Sequence, residues 1–599
     1  MAIVALDKLT VYGTSGQKAD VLEGLQQLGC MHLVNLRGTA PQQPELVSRE
    51  ARAALRYLQA CPDQRQQMVS SMTFDRETII REVLAAKEQR EQLAVERDQL
   101  YQAISDLEPW GDFSWPASAP AGEPQFWFYE VPLNRISELP EDVVWHLANS
   151  DNRYAYVVVI ASELPVDFPF TPIELENRPL SQLRLRLEAV QEELEQLSWK
   201  RITLTRWRRL LKNDLDAADD KAAQAAAAEG VLDDRSVFSL QGWVPHQATA
   251  DVRNFADRHQ LAVTIEPVAA AERPPTLLKN PERIAGAEGC VTFYITPGYH
   301  AWDPTTVVYF SFSLFFAMIV ADAGYGLIMA GLLLFSWRKL SHNRSGRRMR
   351  NLLLGIVSTT IIYGMIVGSY CGVEPPSGMW LDSLRVKIDG QPMMSNQTAM
   401  MVIAVAIGVT HLILANVISA WRHRASLRCL GHLGWAGIML GGFLAGTGTM
   451  SKIQPLTNAG TTLVIIGGVA VLLFSSERPV ATWSITVQLR RLLDGVMQFS
   501  NLSKAFGDSL SYLRLFALGL ASAQLAVTFN GLAAGAYDAG GIGVLLALLI
   551  LAVGHGINFL LGLMGGVVHG LRLNCIEFFN WSLTEEGHPF QPFRKKAET

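Results

Sequence analysis

The run GIGVLLALLILAVGHGINFLLGLMGGVVHGLRLNCIEFFNW, residues 541–581, decides the fold class. At 1.5 Å per residue a helix of some forty residues is roughly 60 Å long, about twice the hydrocarbon thickness of a bilayer. Such a helix must tilt, kink or project beyond the membrane. Up to Arg572 its only polar side chains are His555, Asn558, His569 and Arg572. Together with Gly562 and Gly565 they recur at gaps of three and four and share one narrow helical face. The residues between them are Leu, Ile, Val, Phe, Met or Gly. A polar face on an otherwise lipid-like helix must turn towards protein or water.

Further apolar runs stand at 305–337, 351–372, 397–421, 429–448, 459–474 and 503–530. The first contains Ala321-Asp322-Ala323-Gly324-Tyr325-Gly326, a natural helix break. Splitting it there gives eight crossings. Basic residues support that count. With residues 1–295 in the cytoplasm, inside loops and the C-terminal tail hold fifteen Lys and Arg, and outside loops hold only Arg385, Lys387 and Lys452. Seven crossings would place the large, acidic front domain outside, although Met1–Gly13 lacks a signal-peptide pattern.

Charge divides the chain in the same way. Residues 1–300 carry 30 basic and 43 acidic residues, and the remainder 21 and 13. The positive mean hydropathy of so long a chain excludes an ordinary soluble protein. Unclustered charge argues against a nucleic-acid partner. Six dispersed cysteines suggest neither a disulfide scaffold nor a zinc site.

The front domain, 1–295, opens as an α/β lobe: strand Ile3–Tyr12, helix Lys18–Leu28, strand Met31–Leu36. Two heptad-like seams follow at about 76–108 and 180–228, the first through Ile79, Val83, Arg90, Leu93, Leu100 and Leu107. They predict an antiparallel coiled-coil stalk carrying a globular lobe over 109–179, with a strand at Tyr154–Ile160. A second α/β lobe over 235–270 has strand Val237–Leu240, a turn at Gly242-Trp243-Val244-Pro245, helix Ala250–Gln260 and strand Ala262–Ile265. The expected fold is therefore mainly α: cytoplasmic lobes joined by a stalk, then an eight-helix membrane domain over 300–599 ending in two long tilted helices. No nucleotide loop, catalytic triad or metal constellation is visible, and no cofactor is expected.

Arg514 and Arg572 lie inside apolar runs, where an unpaired charge costs roughly 2.5–3.5 kcal/mol on insertion scales. Asp508, Arg514 and Gln524 mark a polar stripe on 503–530, which faces the narrower one on 541–581 across a water-accessible seam. Each residue also has a structural reading. The arginines can tie helices together through carbonyls or Asp508, His555 and Asn558 can bond helix to helix, Gly562 and Gly565 can serve close packing, and Asp322 can cap its hairpin. Glu577 and Glu585 fall near the cytoplasmic exit, where a solvated role is the default. A secondary transporter with a regulatory cytoplasmic domain is the alternative, but no internal repeat supports it.

Four stretches resemble subunit I, or subunit a, of the V/A-type rotary ATPases. Ser511-Tyr512-Leu513-Arg514-Leu515-Phe516-Ala517-Leu518-Gly519 is similar to that family's arginine helix. His569-Gly570-Leu571-Arg572, with Glu577, Glu586-Gly587 and Pro592-Phe593, is similar to its second arginine motif and tail. Asp322-Ala323-Gly324-Tyr325-Gly326 resembles its hairpin, and Gly242-Trp243-Val244-Pro245 its soluble-domain signature. The resemblance implies a non-catalytic stator subunit of an ATP-driven or ATP-synthesising ion translocase. It further implies partners: a proteolipid ring, peripheral stalk subunits and a rotor cap subunit. Arg514 would face the ring's carboxylates, Arg572 would support it, and His569 would line a proton half-channel. Relatives carry carboxylates where this chain has Ser500 and Gly562. The chain lacks the extra loops of eukaryotic members, which implies a bacterial or archaeal protein; with eight crossings it is expected to be a multi-pass protein of a prokaryotic plasma membrane with both termini cytoplasmic.

Overall fold

The computed structural model describes residues 2–37, 49–70, 72–113, 125–140, 143–162, 168–376, 378–388, 390–393, 396–478, 484–583 and 585–596. The chain forms two compact units: Met1–Thr10, Gly242–Arg253 and Val263–Pro592 in one, and Val11–Gln241, Asn254–Ala262 and Phe593–Thr599 in the other.

β1 (Leu6–Thr14), α1 (Lys18–Leu28) and β2 (His32–Val34) open the chain, close to their expected positions. α1 stops at Gly29, whose φ of 62° suits a residue without Cβ. α2 (Arg49–Gln59) lies outside the sequence expectation and buries Ala51, Ala54 and Leu58. α3 (Arg76–Leu107) starts on Asp75, whose side chain accepts from Thr78 N at 3.3 Å. β3 (Gln125–Pro132), β4 (Trp145–Ser150) and β5 (Tyr154–Ala161) make an antiparallel sheet ordered β3-β5-β4, covering Tyr129, Val131, Val157 and Val159. Residues 114–124, 141–142 and 163–167 of the expected lobe lie outside the described residues.

α4 (Leu180–Leu204) runs antiparallel to α3. Leu100 and Leu107 pack with Leu180, Leu183 and Val190, and Arg186 meets Glu96 at 2.7 Å. That guanidinium holds the Glu96 carboxyl below the usual carboxylate range. Two seam expectations fail. Arg90 is exposed, and the second seam is broken at Thr205–Trp207 by a 3-10 turn before α5 (Arg208–Gly230). There the segment after α2 docks, with Arg65 N donating to Thr205 Oγ1 at 3.0 Å and Met68 N to Arg206 O at 3.1 Å. Arg201, near the end of α4, donates to Tyr57 O and stacks 4.1 Å over the Tyr57 ring.

β6 (Leu232–Asp234), β7 (Val237–Pro245), α6 (Thr249–Arg258) and β8 (Ala262–Pro267) follow. The sheet is ordered β2-β7-β1-β8, with β6 on β7. The expected turn Gly242–Pro245 is strand, because Trp243 and Val244 are core residues of β7.

After a short α7 (Glu288–Thr292), the apolar region begins with α8 (Thr305–Val320). It ends at Ala321, left-handed at φ 50°. Asp322 then caps α9 (Ala323–Ser341), accepting from Tyr325 N at 3.0 Å. The 305–337 run is thus two helices, broken where the sequence reading put the break. α10 (Arg344–Val367) crosses this break through Gly364, where a Cβ would stand 2.1 Å from Ala323 N. Then come α11 (Trp380–Leu384), α12 (Gln397–Arg422), α13 (Arg428–Met450), α14 (Gln454–Phe474), α15 (Ile485–Gln498), α16 (Asn501–Ser511), α17 (Leu513–Asp538), α18 (Ile542–Arg572), a π-helical turn Leu573–Phe578 and α19 (Phe579–Ser582). Among the described residues, six helical stretches are long and apolar enough to cross a membrane: 344–367, 397–422, 428–450, 454–474, 485–538 and 542–582. α8, at 16 residues, is shorter. The 503–530 run lies within one of these stretches but is interrupted at a single residue, between α16 and α17. It breaks at Tyr512, whose buried ring fills the space above Gly408 and whose hydroxyl bonds His411 Nδ1 at 2.8 Å.

Candidate functional site

α17 and α18 pack along a face of small residues. Gly554, Asn558, Gly562, Gly566 and Gly570 of α18 are buried, at steps of four. The Phe529 ring of α17 lies over Gly554, and Phe316 and Phe312 of α8 lie over Gly566 and Gly570. The polar stripe expected on α18 runs along the edge of this seam. Asn558 is 1% exposed, His555 and His569 are half-buried, and Arg572 is exposed.

The structure gathers these residues into two groups. The first surrounds Arg514, two residues beyond the Tyr512 break. Arg514 Nη2 lies 3.9 Å from Glu577 Oε1, and Arg572 Nε lies 3.8 Å from the same oxygen. Glu577 is 2% exposed, against the solvated default. The correction has a geometric cause. On a regular α-helix a residue five positions on lies about 140° around from Arg572. The i→i+5 bonding of the Leu573–Phe578 π-turn widens the turn to a little over four residues, so Glu577 swings back towards the side of Arg572. Nothing in the residue pattern announced that turn.

Three buried polar atoms in this group have no hydrogen-bond partner: Arg514 Nη1, Glu577 Oε2 and His569 Nδ1. A buried polar atom without a partner costs roughly 1–3 kcal/mol, so such a cluster marks a place built to meet another polar group or water. Asp508 sits beside the group on α16. It accepts from Trp581 Nε1 at 2.7 Å, and Lys504 lies 5.5 Å over the Trp581 ring.

The second group lies fourteen residues back along α18, roughly 20 Å away. His555 Nδ1 bonds the Tyr325 hydroxyl at 2.8 Å, and Asn558 Nδ2 donates to that hydroxyl at 2.9 Å and to Ser522 O at 2.8 Å. His555 Nε2 meets Asn530 Oδ1 at 3.0 Å, and Asn530 Nδ2 donates to Cys371 O at 2.8 Å. Asp322 completes the chain, accepting from Tyr325 N, Ser369 Oγ, Cys371 N and Gly372 N. The hairpin cap and the helix–helix bonds are thus parts of one network. Gln524, exposed on α17, joins neither group. No cluster among the described residues is arranged to hold a metal ion.

No family model matches the chain. It is 29% identical to the V-type ATP synthase subunit I of Chlamydia pneumoniae, covering 87% of this chain and 86% of that protein. To V-type ATP synthase subunit I 1 of Treponema pallidum it is 25% identical, over 99% and 100%. To the A-type ATP synthase subunit I of Methanocaldococcus jannaschii it is 26% identical, over 71% and 65%. Against the crystal structure of the cytoplasmic N-terminal domain of a subunit I homologous to V-ATPase subunit a, it is 18% identical, covering 43% of this chain and 99% of that one. The TM-score is 0.21. By sequence, this chain resembles subunit I of the V-type and A-type ATP synthases over nearly its whole length.

Proposed function

We propose that this chain is the membrane stator subunit of a V/A-type rotary ATP synthase or ATPase, guiding ions, protons by the presence of His569, past a ring of proteolipid carboxylates. The observation that carries this reading is Arg514, a guanidinium on an apolar helix with an unpartnered Nη1 and a side chain 22% exposed.

A ring carboxylate can face lipid only when neutral, by protonation or by holding a cation. Beside Arg514 its charged form is favoured, so it releases its ion there. Arg514 stays protonated, because a guanidinium does not give up its proton inside a protein. It therefore acts as a fixed barrier between two offset water paths and not as a carrier. The Arg514–His569–Arg572 group would face one path, and the His555–Asn558 network would border the other. Eight crossings, counting α8 and α9 separately, keep both termini cytoplasmic. The α3–α4 pair would serve as a stiff stalk that resists torque and joins peripheral stalk subunits. Each charge yields about 2.3 kcal/mol per 100 mV, so several ions must be summed for one ATP.

Arg514→Ala in the whole complex should abolish ion-coupled ATP synthesis and ATP-driven pumping in membrane vesicles, with the complex still assembled. An assembled Arg514→Ala complex that retains coupling would reject this reading.

A further inference from the structure

Glu577, expected only as a solvated residue beside the second arginine motif, is the most deeply buried ionisable group in the arginine cluster. One of its oxygens, Oε1, is shared by Arg514 at 3.9 Å and Arg572 at 3.8 Å, and the other is buried without a partner. Neither contact is close enough for a direct hydrogen bond, so the two guanidiniums act on the carboxylate through their charge. The other charged groups packed nearby are already engaged: Asp508 with Trp581, and Lys504 over the ring of Trp581. Arg572, with 53% of its side chain exposed, opens towards the outside of the seam.

We propose that Glu577 is the internal counter-ion of the two-arginine seam, leaving one net positive charge to meet each passing carboxylate. This deepens the proposed function and rests on it. Two guanidiniums and one carboxylate sum to a single positive charge, which one ring carboxylate neutralises. Without Glu577 the carboxylate would meet two uncompensated guanidiniums in a site of reduced dielectric. It would be held too strongly to leave, and the rotor would stall. Arg514 would still separate the water paths, so no leak would open.

The test uses the intact complex in membrane vesicles, reading ATP-driven ion transport and passive ion leak. Glu577→Gln should lower coupled transport by about ten-fold or more without raising the leak. Glu577→Asp should keep most of it. Removing the surplus charge with the double change Arg572→Gln and Glu577→Gln should recover transport relative to Glu577→Gln alone, which loss of packing would not do. If Glu577→Gln prevents assembly, the double variant still decides: recovery of assembled, transporting complex supports the counter-ion role, and failure overturns it. Transport by Glu577→Gln within about two-fold of the parent would also overturn it. Arg514→Ala, measured alongside, separates the two ideas. If it loses coupling while Glu577→Gln does not, only the counter-ion role falls, whereas retained coupling in Arg514→Ala sinks the underlying reading.

Discussion

Single residues divide by whether their role lies in helical spacing or in the path of the backbone. Arg514, His569 and Arg572 were legible because charge inside an apolar run is costly and their spacing follows regular helix geometry. Glu577 was not, because its position depends on a π-turn that no residue type announces. Asp322 was legible as a cap, but its reach to Ser369, Cys371 and Gly372 required the hairpin to fold back on the end of α10. Tyr325 was read only as part of the hairpin motif: an aromatic residue in an apolar helix gives no sign that its hydroxyl receives Asn558 and meets His555. Tyr325→Phe keeps the ring and leaves both partners short of a bond. Thermal unfolding in detergent should show a loss of roughly 1–3 kcal/mol, the cost of unsatisfied buried polar groups. An unchanged midpoint would mean that water or another side chain takes the place of the hydroxyl.

At the level of whole elements, apolar length and periodicity located the long helices well, and their interruptions less well. The Ala321–Asp322 break followed from Gly-rich composition beside an acidic cap. The breaks at Tyr512 and Thr205 did not, because each is made by a partner: α12 receives the Tyr512 ring, and the segment after α2 bonds to Thr205. The seam of α3 was overdrawn for a similar reason. A 3–4 repeat continues through Arg90, but apolar burial concentrates at Ile79–Ala86 and Leu100–Leu107, where neighbouring elements supply the other wall. Close helix approach offers a sharper test. A Cβ on Gly364 would sit 2.1 Å from Ala323 N, whereas one on Gly331 meets nothing within 4 Å. Gly364→Ala should cost about 1–3 kcal/mol through forced backbone movement. Gly331→Ala should be neutral or slightly stabilising, since Ala favours helix over Gly by up to about 1 kcal/mol. Equal thermal midpoints for the two variants would show that the hairpin does not need the close approach.

Over the whole molecule, the acidic front and basic rear were plain in composition, but the end of the chain was not. Its basic residues entered the sequence reading only as a charge on the cytoplasmic side of the membrane. In the structure, Phe593–Lys596 join the unit that contains α1 and α5. Phe593 N donates to Met31 O at 2.8 Å, Lys595 Nζ meets Glu23 at 3.0 Å, and Lys596 reaches Asp219 at 2.8 Å while its backbone N donates to Asp220 at 2.9 Å. Burial alone would raise the Asp219 carboxyl, but Lys596 and Arg52 hold it below the usual aspartate range. A carboxyl depressed in the folded state stabilises at neutral pH, and that contribution disappears as acid protonates it below its ordinary value of about 3.9. The tail should therefore stay docked at neutral pH and loosen on strong acidification. Because Lys596 and Arg52 are about half exposed, the pairing contributes at most roughly 1 kcal/mol, and added salt should weaken it. Hydrogen exchange at the Lys596 amide is the direct measurement. Asp219→Asn should reduce protection several-fold at neutral pH and flatten its acid dependence, and protection equal to that of the parent protein would mean that backbone bonds to Met31, Gln26 and Asp220 hold the tail without the charge.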